Sequence, residues 1–384
     1  MRDARLLVAT LRDPASVGAL SPERWTALIA IARAEKLIGS LAWRLESEVL
    51  AEPIAAILAE AGVEAKHARR QALWEAEMAR RALAPLGIPV ILLKGTAYAA
   101  AGLAAGKGRS IGDLDILVPR EALPEVERAL LGAGWEWVKE DAYDDHYYRE
   151  WMHELPPLIH RERDRMIDVH HTILPLTARP RPDAAALIAG SVAVNTADLP
   201  NPFGLSLSKP FPSANEEKGR TREGFDKLSP NGEGGDLERT SDSSSAIRIL
   251  SPPDMIVHAA AHLFADGDLA GGLRNLWDID RLLRDFSDHP DFWAQLAARA
   301  ALHGLGASVG RAVRLAHALY GTPAPDPWIV SNAIDRLFMA RLLARNGWGQ
   351  ATRPMLRLAF YVRSHTLRMP PLMLARHLWI KMRR

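Results

Sequence analysis

The chain has 384 residues, of which 48% are hydrophobic and 24% are charged, and its formal net charge is +2. This composition is typical of a globular protein with one or two domains. Cys is absent, which excludes disulfides, thiolate zinc sites and cysteine nucleophiles. We find no pattern of a signal peptide or a membrane span, so we expect a cytoplasmic protein without a transmembrane segment.

The first region, residues 1–84, is predicted to be helical. Ser21-Pro22-Glu23 is a typical helix start, with Ser as the N-cap and Pro in the first helical position. Apolar residues then recur at helical spacing. A second helical stretch, rich in Ala, Glu and Arg, is predicted from residue 53 to residue 83.

The second region, residues 85–200, alternates between the two kinds of secondary structure. Short apolar runs rich in β-branched residues predict strands, and longer segments with helical spacing predict helices. The predicted strands are 88–93, 113–118, 135–139, 158–160 and 166–170, with helices at 95–103 and 121–131. This order indicates a small mixed α/β core.

Residues 201–246 differ from the rest of the chain because Gly, Ser, Pro, Asn and charged residues dominate them. Such a segment buries too little apolar surface to offset the entropy of ordering it, so we predict a disordered insertion. It separates residues 192–194 from 247–250, which could be the two strands of one interrupted hairpin. A linker between two domains is the alternative. The last region, residues 247–384, restarts at Ser251-Pro252 and is predicted to be a helical bundle.

The candidate chemistry begins with Asp113 and Asp115. Side chains alternate between the two faces of a strand, so both carboxylates project to one side while Leu114 and Ile116 pack on the other. Two carboxylates this close repel each other, and a cation removes that cost. Hard oxygen ligands suit Mg²⁺ or Mn²⁺, which bind one or two carboxylates together with substrate phosphates.

A second element is the turn Gly95-Thr96, which lies between a predicted strand and a predicted helix. Backbone N–H groups at a helix start can face an anion. Lys94, Lys107 and Arg109 lie nearby in sequence and could neutralise a triphosphate. The pattern therefore indicates a site for phosphoryl or nucleotidyl transfer.

The segment Lys94-Gly95-Thr96-Ala97, followed by Arg109-Ser110-x-x-Asp113-x-Asp115, resembles the polymerase-beta nucleotidyltransferase superfamily. It is most similar to the uncharacterised bacterial nucleotidyltransferases and more distantly to abortive-infection nucleotidyltransferase toxins. The resemblance covers residues 85–290 without the insertion. It implies an α+β fold, with a small mixed-sheet core flanked by N-terminal helices and a C-terminal helical bundle.

The resemblance also implies a role for each site residue. Asp113 and Asp115 would bind two metal ions about 4 Å apart, and Asp168, the third carboxylate, would ligate the ion that activates the acceptor hydroxyl. The substrate would be a nucleoside triphosphate, and pyrophosphate would leave in line. The phosphate-binding residues would be Lys94, Gly95, Thr96, Arg109 and Ser110.

Several other polar residues have less specific patterns. His170 shares a face with Asp168 and either supports the metal ligands or is structural. His258 and His262 lie four residues apart on a predicted helix, which favours polar packing or substrate contact over a shared metal. Asp278-Ile279-Asp280 is predicted to be a solvated helix face, and Asp144-Asp145-His146 is predicted to be on the surface.

Two alternative functions remain from the sequence. One is a catalytically inactive relative that binds nucleotides or a partner protein, and the other is a metal-dependent hydrolase that uses the histidines. Protein, tRNA, a small molecule or a sugar could each be the acceptor. No Asp or Glu follows Asp335, so the basic tail could contact RNA or an anionic membrane surface, or rest on the acidic catalytic domain. Its basic residues include Arg353, Arg357, Arg363, Arg368, Arg376, Lys381, Arg383 and Arg384.

Overall fold

The computed structural model describes residues 3–138, 141–194, 247–330, 332–370 and 374. Residues 201–246 and the tail residues Arg376, Lys381, Arg383 and Arg384 lie outside these ranges, and so do the expectations that concern them. The described chain begins with four helices, as the sequence predicts. They are α1 (Arg5–Arg12), α2 (Pro22–Ala34), α3 (Ile38–Arg44) and α4 (Glu52–Leu83).

The helix starts at Ser21 and Ser251 lie where the sequence places them, but the two hydroxyls do not cap the helix backbone. Ser21 donates to the carboxylate of Glu23 at 2.6 Å, and Ser251 donates to that of Asp254 at 2.8 Å. The two serines are therefore the N-cap residues, as expected, but in each case a carboxylate in the first turn accepts the hydrogen bond of the hydroxyl.

A seven-stranded mixed sheet forms the centre of the fold, in the order β3-β4-β5-β2-β1-β7-β6. β2 is parallel to β5 and β1 is parallel to β7, whereas the other neighbours are antiparallel. The strands are β1 (Ile91–Leu92), β2 (Leu114–Leu117), β3 (Trp135–Trp137), β4 (Leu158–His160), β5 (Met166–His170), β6 (Val192–Ala193) and β7 (Arg248–Ile249). The fold is α+β, as expected.

Four helices connect these strands. They are α5 (Lys94–Ala100), α6 (Leu123–Gly132), α7 (Ala142–Trp151) and α8 (Ala184–Ala189). The hairpin reading of the segments on either side of residues 201–246 is confirmed, since β6 and β7 pair antiparallel, with Val192 opposite Ile249 and Ala193 opposite Arg248. The sequence between them is therefore inserted into one hairpin and does not join two separate sheets.

The C-terminal region is helical, with one irregular turn. A π-helical segment, Ala261–Asp266, follows α9 directly. The helices are α9 (Pro252–Ala260), α10 (Gly272–Phe286), α11 (Phe292–Leu302), α12 (Gly306–Tyr320), α13 (Asp326–Ile329), α14 (Asp335–Leu342) and α15 (Pro354–Arg368). Among the described residues, no helix is both long and apolar enough to cross a membrane.

One continuous hydrophobic core joins the N-terminal helices, the sheet and the C-terminal helices. Leu28 of α2, Ile116 of β2 and Trp277 of α10 are completely buried members of it. Burial of apolar surface is the main stabilising contribution in such a core. Because helices from both ends of the chain pack around the same sheet, residues far apart in sequence can reach its interior strands.

Candidate active site

Three carboxylates converge where β2 and β5 run side by side. Asp115 and Asp168 are register partners in these two parallel strands, so their side chains lie on the same face of the sheet. Asp113 is exposed and directly precedes β2. One oxygen of each carboxylate lies within 4.8 Å of the other two, so the structure brings together the three acidic residues that the sequence singles out.

Lys94 lies opposite this acidic group at the start of α5. Its backbone has a positive φ of 48°, which is uncommon for a residue with a side chain. Its ammonium is 2.5 Å from Oδ1 of Asp115. Burial alone would lower the pKa of Lys94, but the carboxylate of Asp115, helped by Asp113 and Asp168, raises it above its usual value. Lys94 is therefore a fixed positive charge inside the acidic group.

Asp115 is the central member of this charge network. It is 3% exposed, and its Oδ1 also accepts a hydrogen bond from Nε2 of His170 at 3.0 Å. Burial acts to raise the pKa of Asp115, but Lys94 and His170 outweigh it and hold that pKa far below its usual range. Burial acts to lower the pKa of His170, whereas Asp115 and Glu154 raise it. Asp115 is therefore ionised.

Asp168 has the opposite electrostatic environment. Burial is the main cause that raises its pKa to about 7, and the negative charges of Asp115 and Glu154 raise it further. In the protein alone, ionising this carboxyl is unfavourable because it adds a negative charge to an acidic site. A divalent cation would reverse that preference. The donor set of three carboxylates consequently fits an oxygen-ligated ion such as Mg²⁺ or Mn²⁺.

Gly95 and Thr96 lie in the first turn of α5, next to Lys94. The hydroxyl of Thr96 is buried and has no hydrogen-bond partner, an arrangement that is unfavourable unless a ligand supplies one. Gly95 packs so closely against Arg109 that a side chain at this position would overlap the guanidinium. This turn thus combines an unpartnered hydroxyl at Thr96 with a glycine that lets Arg109 approach the backbone closely.

Arg109 is not a solvent-exposed side chain that is free to bind phosphate, because it is buried and already paired with a carboxylate. It is 6% exposed and donates from Nε to Oδ2 of Asp278 at 2.9 Å, and its guanidinium lies 5.7 Å from the centre of the Tyr98 ring. Its role towards phosphate stays a prediction, but its observed contacts make it part of the wall behind Gly95. Ser110 and Lys107 are exposed.

The expectation that Asp278 and Asp280 form a solvated helix face is wrong. Asp278 is 3% exposed and pairs with Arg109, whereas Asp280 is completely buried and binds Arg281, Arg284 and Thr322. The two carboxylates do point in different directions, as positions two apart on a helix must. Both directions lead into protein, because α10 packs against other elements on several sides.

Three residues close to this site carry no sequence signal that identified them. Glu154 and His153 lie between α7 and β4, where an isolated β-bridge pairs Glu154 with His170. Arg274 of α10 donates to the carbonyl of Ser110 at 3.4 Å, and its pKa is lowered mainly by the charge of Arg109 and by burial. The tertiary fold brings these segments next to the interior strands β2 and β5.

His258 and His262 lie on α9 and on the π-helical segment. Burial, followed by the charge of Lys94, lowers the pKa of His258 to about 3 and that of His262 well below its usual value. Both are therefore neutral. Among the described residues, neither belongs to a group of three side chains that could share a metal ion. His262 also lines a cavity of about 230 Å³ together with Tyr361 and Ser364.

An α+β fold with three carboxylates that could hold a metal ion is consistent with a nucleotidyltransferase. Sequence comparison identifies the family to which the chain belongs. A family model described as an uncharacterised nucleotidyltransferase matches residues 21–202 and 235–321. This is well over half of the chain, which therefore belongs to that family. The unmatched residues 203–234 fall within the low-complexity segment. No curated protein and no solved structure matches the chain.

Proposed function

We propose that the protein is a metal-dependent nucleotidyltransferase of the polymerase-beta type, which moves a nucleoside monophosphate from a nucleoside triphosphate to an acceptor hydroxyl. The observation that carries this proposal is the convergence of Asp113, Asp115 and Asp168 within 4.8 Å of one another. Membership of a nucleotidyltransferase family supports it independently. A cytoplasmic location stays a prediction.

The three carboxylates are the residues that would hold Mg²⁺ or Mn²⁺. When bound, such ions neutralise the phosphates and stabilise negative charge that develops on the attacking and leaving oxygens. The residues fit this role because a nearby cation would stabilise the ionised form of Asp168, whose pKa is raised, and because Asp113 is exposed to solvent. Lys94 and His170 both bond to Oδ1 of Asp115, so its carboxylate is oriented before substrate arrives.

The triphosphate would bind at the turn of Gly95 and Thr96. The unpartnered hydroxyl of Thr96 can donate to a phosphate oxygen. Lys94 and Arg274 supply positive charge on two sides, with Arg109 behind the turn and Ser110 at its edge. Arg274 suits an anion in particular, because a phosphate would relieve its repulsion from Arg109.

The reaction consists of one displacement at the α-phosphorus. The acceptor oxygen forms a bond to that phosphorus, the bond to the bridging oxygen of the β-phosphate breaks, and pyrophosphate leaves with the bonding electron pair. The proton of the acceptor hydroxyl passes to the carboxylate of Asp168. Asp168 is suited to this position because its register pairing with Asp115 places it on the same face of the sheet as the phosphate turn and Lys94.

One observation favours a second candidate, a relative that binds nucleotide without turnover. Lys94 already holds Asp115 at 2.5 Å, which is the place where an ion would be coordinated. In an active enzyme the ammonium has to shift towards the triphosphate as the ion binds. In an inactive relative it stays, and nucleotide binding then requires no divalent ion.

The deciding experiment uses α-labelled nucleoside triphosphates, Mg²⁺ or Mn²⁺, and fractionated protein, RNA and small-molecule extracts as acceptors. We expect the wild type to transfer label, and Asp113→Asn and Asp168→Asn to lose transfer by at least about 100-fold. Asp288→Asn, an exposed carboxylate at the end of α10, is the control. Full transfer by either site variant overturns the assignment, and tight binding without turnover by the wild type selects the second candidate.

The acceptor class follows from which fraction receives the label. The basic residues that the structure describes on α15 include the exposed Arg357, so contact of this region with RNA or an anionic surface stays a prediction. Arg363 is already engaged, since it donates to the carbonyl of Phe264 at 2.7 Å and lies over the ring of Phe338. Label in the RNA fraction would identify RNA as the acceptor.

A further inference from the structure

A second group of metal-type ligands lies beside the three carboxylates. It consists of His153, Glu154 and His170, and one ligand atom of each lies within 4.8 Å of the other two. The Asp residues offer only oxygen, whereas this group offers two imidazole nitrogens and one carboxylate oxygen. Imidazole is a ligand of transition ions, and Mg²⁺ favours oxygen. The two groups therefore have different ion preferences.

His170 connects the two groups. Its Nε2 is 3.0 Å from Oδ1 of Asp115, which accepts a hydrogen bond from it. Its Nδ1 is 3.4 Å from Oε2 of Glu154 but makes no hydrogen bond, although the side chain is only 3% exposed. When Nε2 carries the proton, the neutral ring presents a lone pair at Nδ1. That lone pair faces a carboxylate oxygen, and a positive charge between the two atoms, either a proton on Nδ1 or a metal ion, removes the repulsion.

His153 completes the group from the other side of Glu154. Its Nε2 is 3.8 Å from Oε2 of Glu154, and its Nδ1 is buried without a hydrogen-bond partner. The rings of His153 and His170 have their centres 5.2 Å apart and are inclined by 30°. Nδ1 of each imidazole is thus buried without a hydrogen-bond partner in the described chain, and both rings lie next to the same carboxylate.

The distances suit a small transition ion. Zinc binds His nitrogen and carboxylate oxygen at about 2.0–2.2 Å, so its ligand atoms in a tetrahedron are about 3.4 Å apart. The separations of 3.4 and 3.8 Å to Glu154 are close to this value. His153 and Glu154 are 12% and 17% exposed, so the group is in contact with solvent, and three protein ligands leave one position of a tetrahedral ion for water.

We propose that His153, Glu154 and His170 form a binding site for one divalent transition ion, of which zinc is the representative. The ion lies beside the carboxylate group and is distinct from the Mg²⁺ or Mn²⁺ of the transfer reaction. By binding Nδ1 of His170 it fixes the ring with Nε2–H towards Asp115, as a carboxylate hydrogen-bonded to a ligating histidine does in metal sites generally. His170 is thereby a positioning residue for Asp115.

The test measures zinc in the full-length protein. Chelator-treated wild type is titrated with Zn²⁺ and, separately, with Co²⁺, whose visible absorption reports nitrogen ligands. We expect one equivalent to bind in the wild type. Loss of a direct ligand should weaken binding at least about 100-fold, because even indirect partners contribute about 10–100-fold. Glu154→Gln and His153→Gln are the variants, and exposed His289→Ala is the control.

Asp113→Asn distinguishes this site from the carboxylate group. It should keep the Co²⁺ absorption and the zinc equivalent, and it should lose only the Mg²⁺-dependent reaction. The proposal is overturned when chelator-treated wild type takes up no stoichiometric zinc, or when Glu154→Gln and His153→Gln, shown to be folded by circular dichroism, bind zinc as the wild type does. Loss of zinc in Asp113→Asn alone would assign the ion to the carboxylates instead.

Discussion

Asp115 and Asp168 face each other directly across the parallel strands β2 and β5, yet their pKa values move in opposite directions. Asp115 is held ionised by Lys94 and His170, whereas burial and the neighbouring carboxylates raise the pKa of Asp168 to about 7. Two carboxylates in the same register thus have different properties because Lys94 and His170 bond directly to Asp115, whereas burial dominates at Asp168. Pairs of acids separated in this way are typical of sites that exchange protons or bind ions.

The raised pKa of Asp168 predicts that this residue lowers the stability of the metal-free protein. An unfolded chain has an Asp pKa of about 3.9. Between that value and about 7 the folded state binds more protons, so its stability rises as the pH falls through this range. In the presence of chelator, Asp168→Asn should therefore raise the free energy of unfolding at pH 8 by about 1 kcal/mol.

Urea unfolding of the wild type and Asp168→Asn between pH 5 and pH 8 measures this effect. The stability difference between them should shrink towards acid pH, where Asp168 is protonated. Asp288→Asn is the control, because that carboxylate is exposed. A variant that is less stable than the wild type at pH 8 would show that Asp168 stabilises the fold and would contradict this electrostatic account.

Added Mg²⁺ should reverse the destabilisation. An ion that binds only the folded state stabilises it by about 2.7 kcal/mol at a concentration 100 times its dissociation constant. We expect Mg²⁺ to raise the Tm of the wild type and to have much less effect on Asp113→Asn and Asp168→Asn. Thermal unfolding with Mg²⁺ and with the same ionic strength of NaCl separates binding from screening. Equal shifts in all three proteins would exclude Mg²⁺ binding by these carboxylates.

The buried pair of Arg109 and Asp278 should be strongly coupled. Arg109→Met leaves Asp278 buried without a partner and should cost about 3–5 kcal/mol of stability, whereas the double variant Arg109→Met/Asp278→Leu should recover most of it. Arg81, which is 39% exposed and pairs with Glu77, provides the control, since Arg81→Met should cost less than about 1 kcal/mol. Denaturant unfolding of the wild type, Arg109→Met, Asp278→Leu and the double variant gives the free energy of unfolding of each. If the losses of the two single variants add up to that of the double variant, the two residues are not coupled.

Gly95 and Gly62 give a matched test of the phosphate turn. Both lie in helices, but a methyl group at Gly95 would overlap Arg109, whereas at Gly62 nothing lies within 4 Å. Gly62→Ala should stabilise the protein by about 0.5–1 kcal/mol, and Gly95→Ala should destabilise it by about 1–3 kcal/mol. Stability is measured by unfolding and nucleotide binding by fluorescence titration. An equally stabilised Gly95→Ala would mean that the turn is not closely packed.

Much of the secondary structure follows from local patterns. The strands at 158–160 and 166–170 have the predicted bounds, and α4 agrees with its predicted span within a residue. The alternation around Asp113 and Asp115 and around Asp168 and His170 is also local, since successive side chains on a strand must point to opposite faces. The sequence alone did not decide whether β6 pairs with β7, because the residue pattern within a strand does not specify its partner strand.

What the sequence by itself determined is the set of acidic residues and the strands that carry them, because those depend on spacing along the chain. Tertiary structure alone decided the partner of each charge. Asp278 and Asp280 look solvated in sequence but are buried, since burial depends on which helices pack against α10. Lys94, Glu154 and Arg274 lie near the carboxylates because the fold packs the start of α5, the segment after α7 and α10 around the same strands. Electrostatic energy depends on distances in space, and a sequence specifies only distances along the chain.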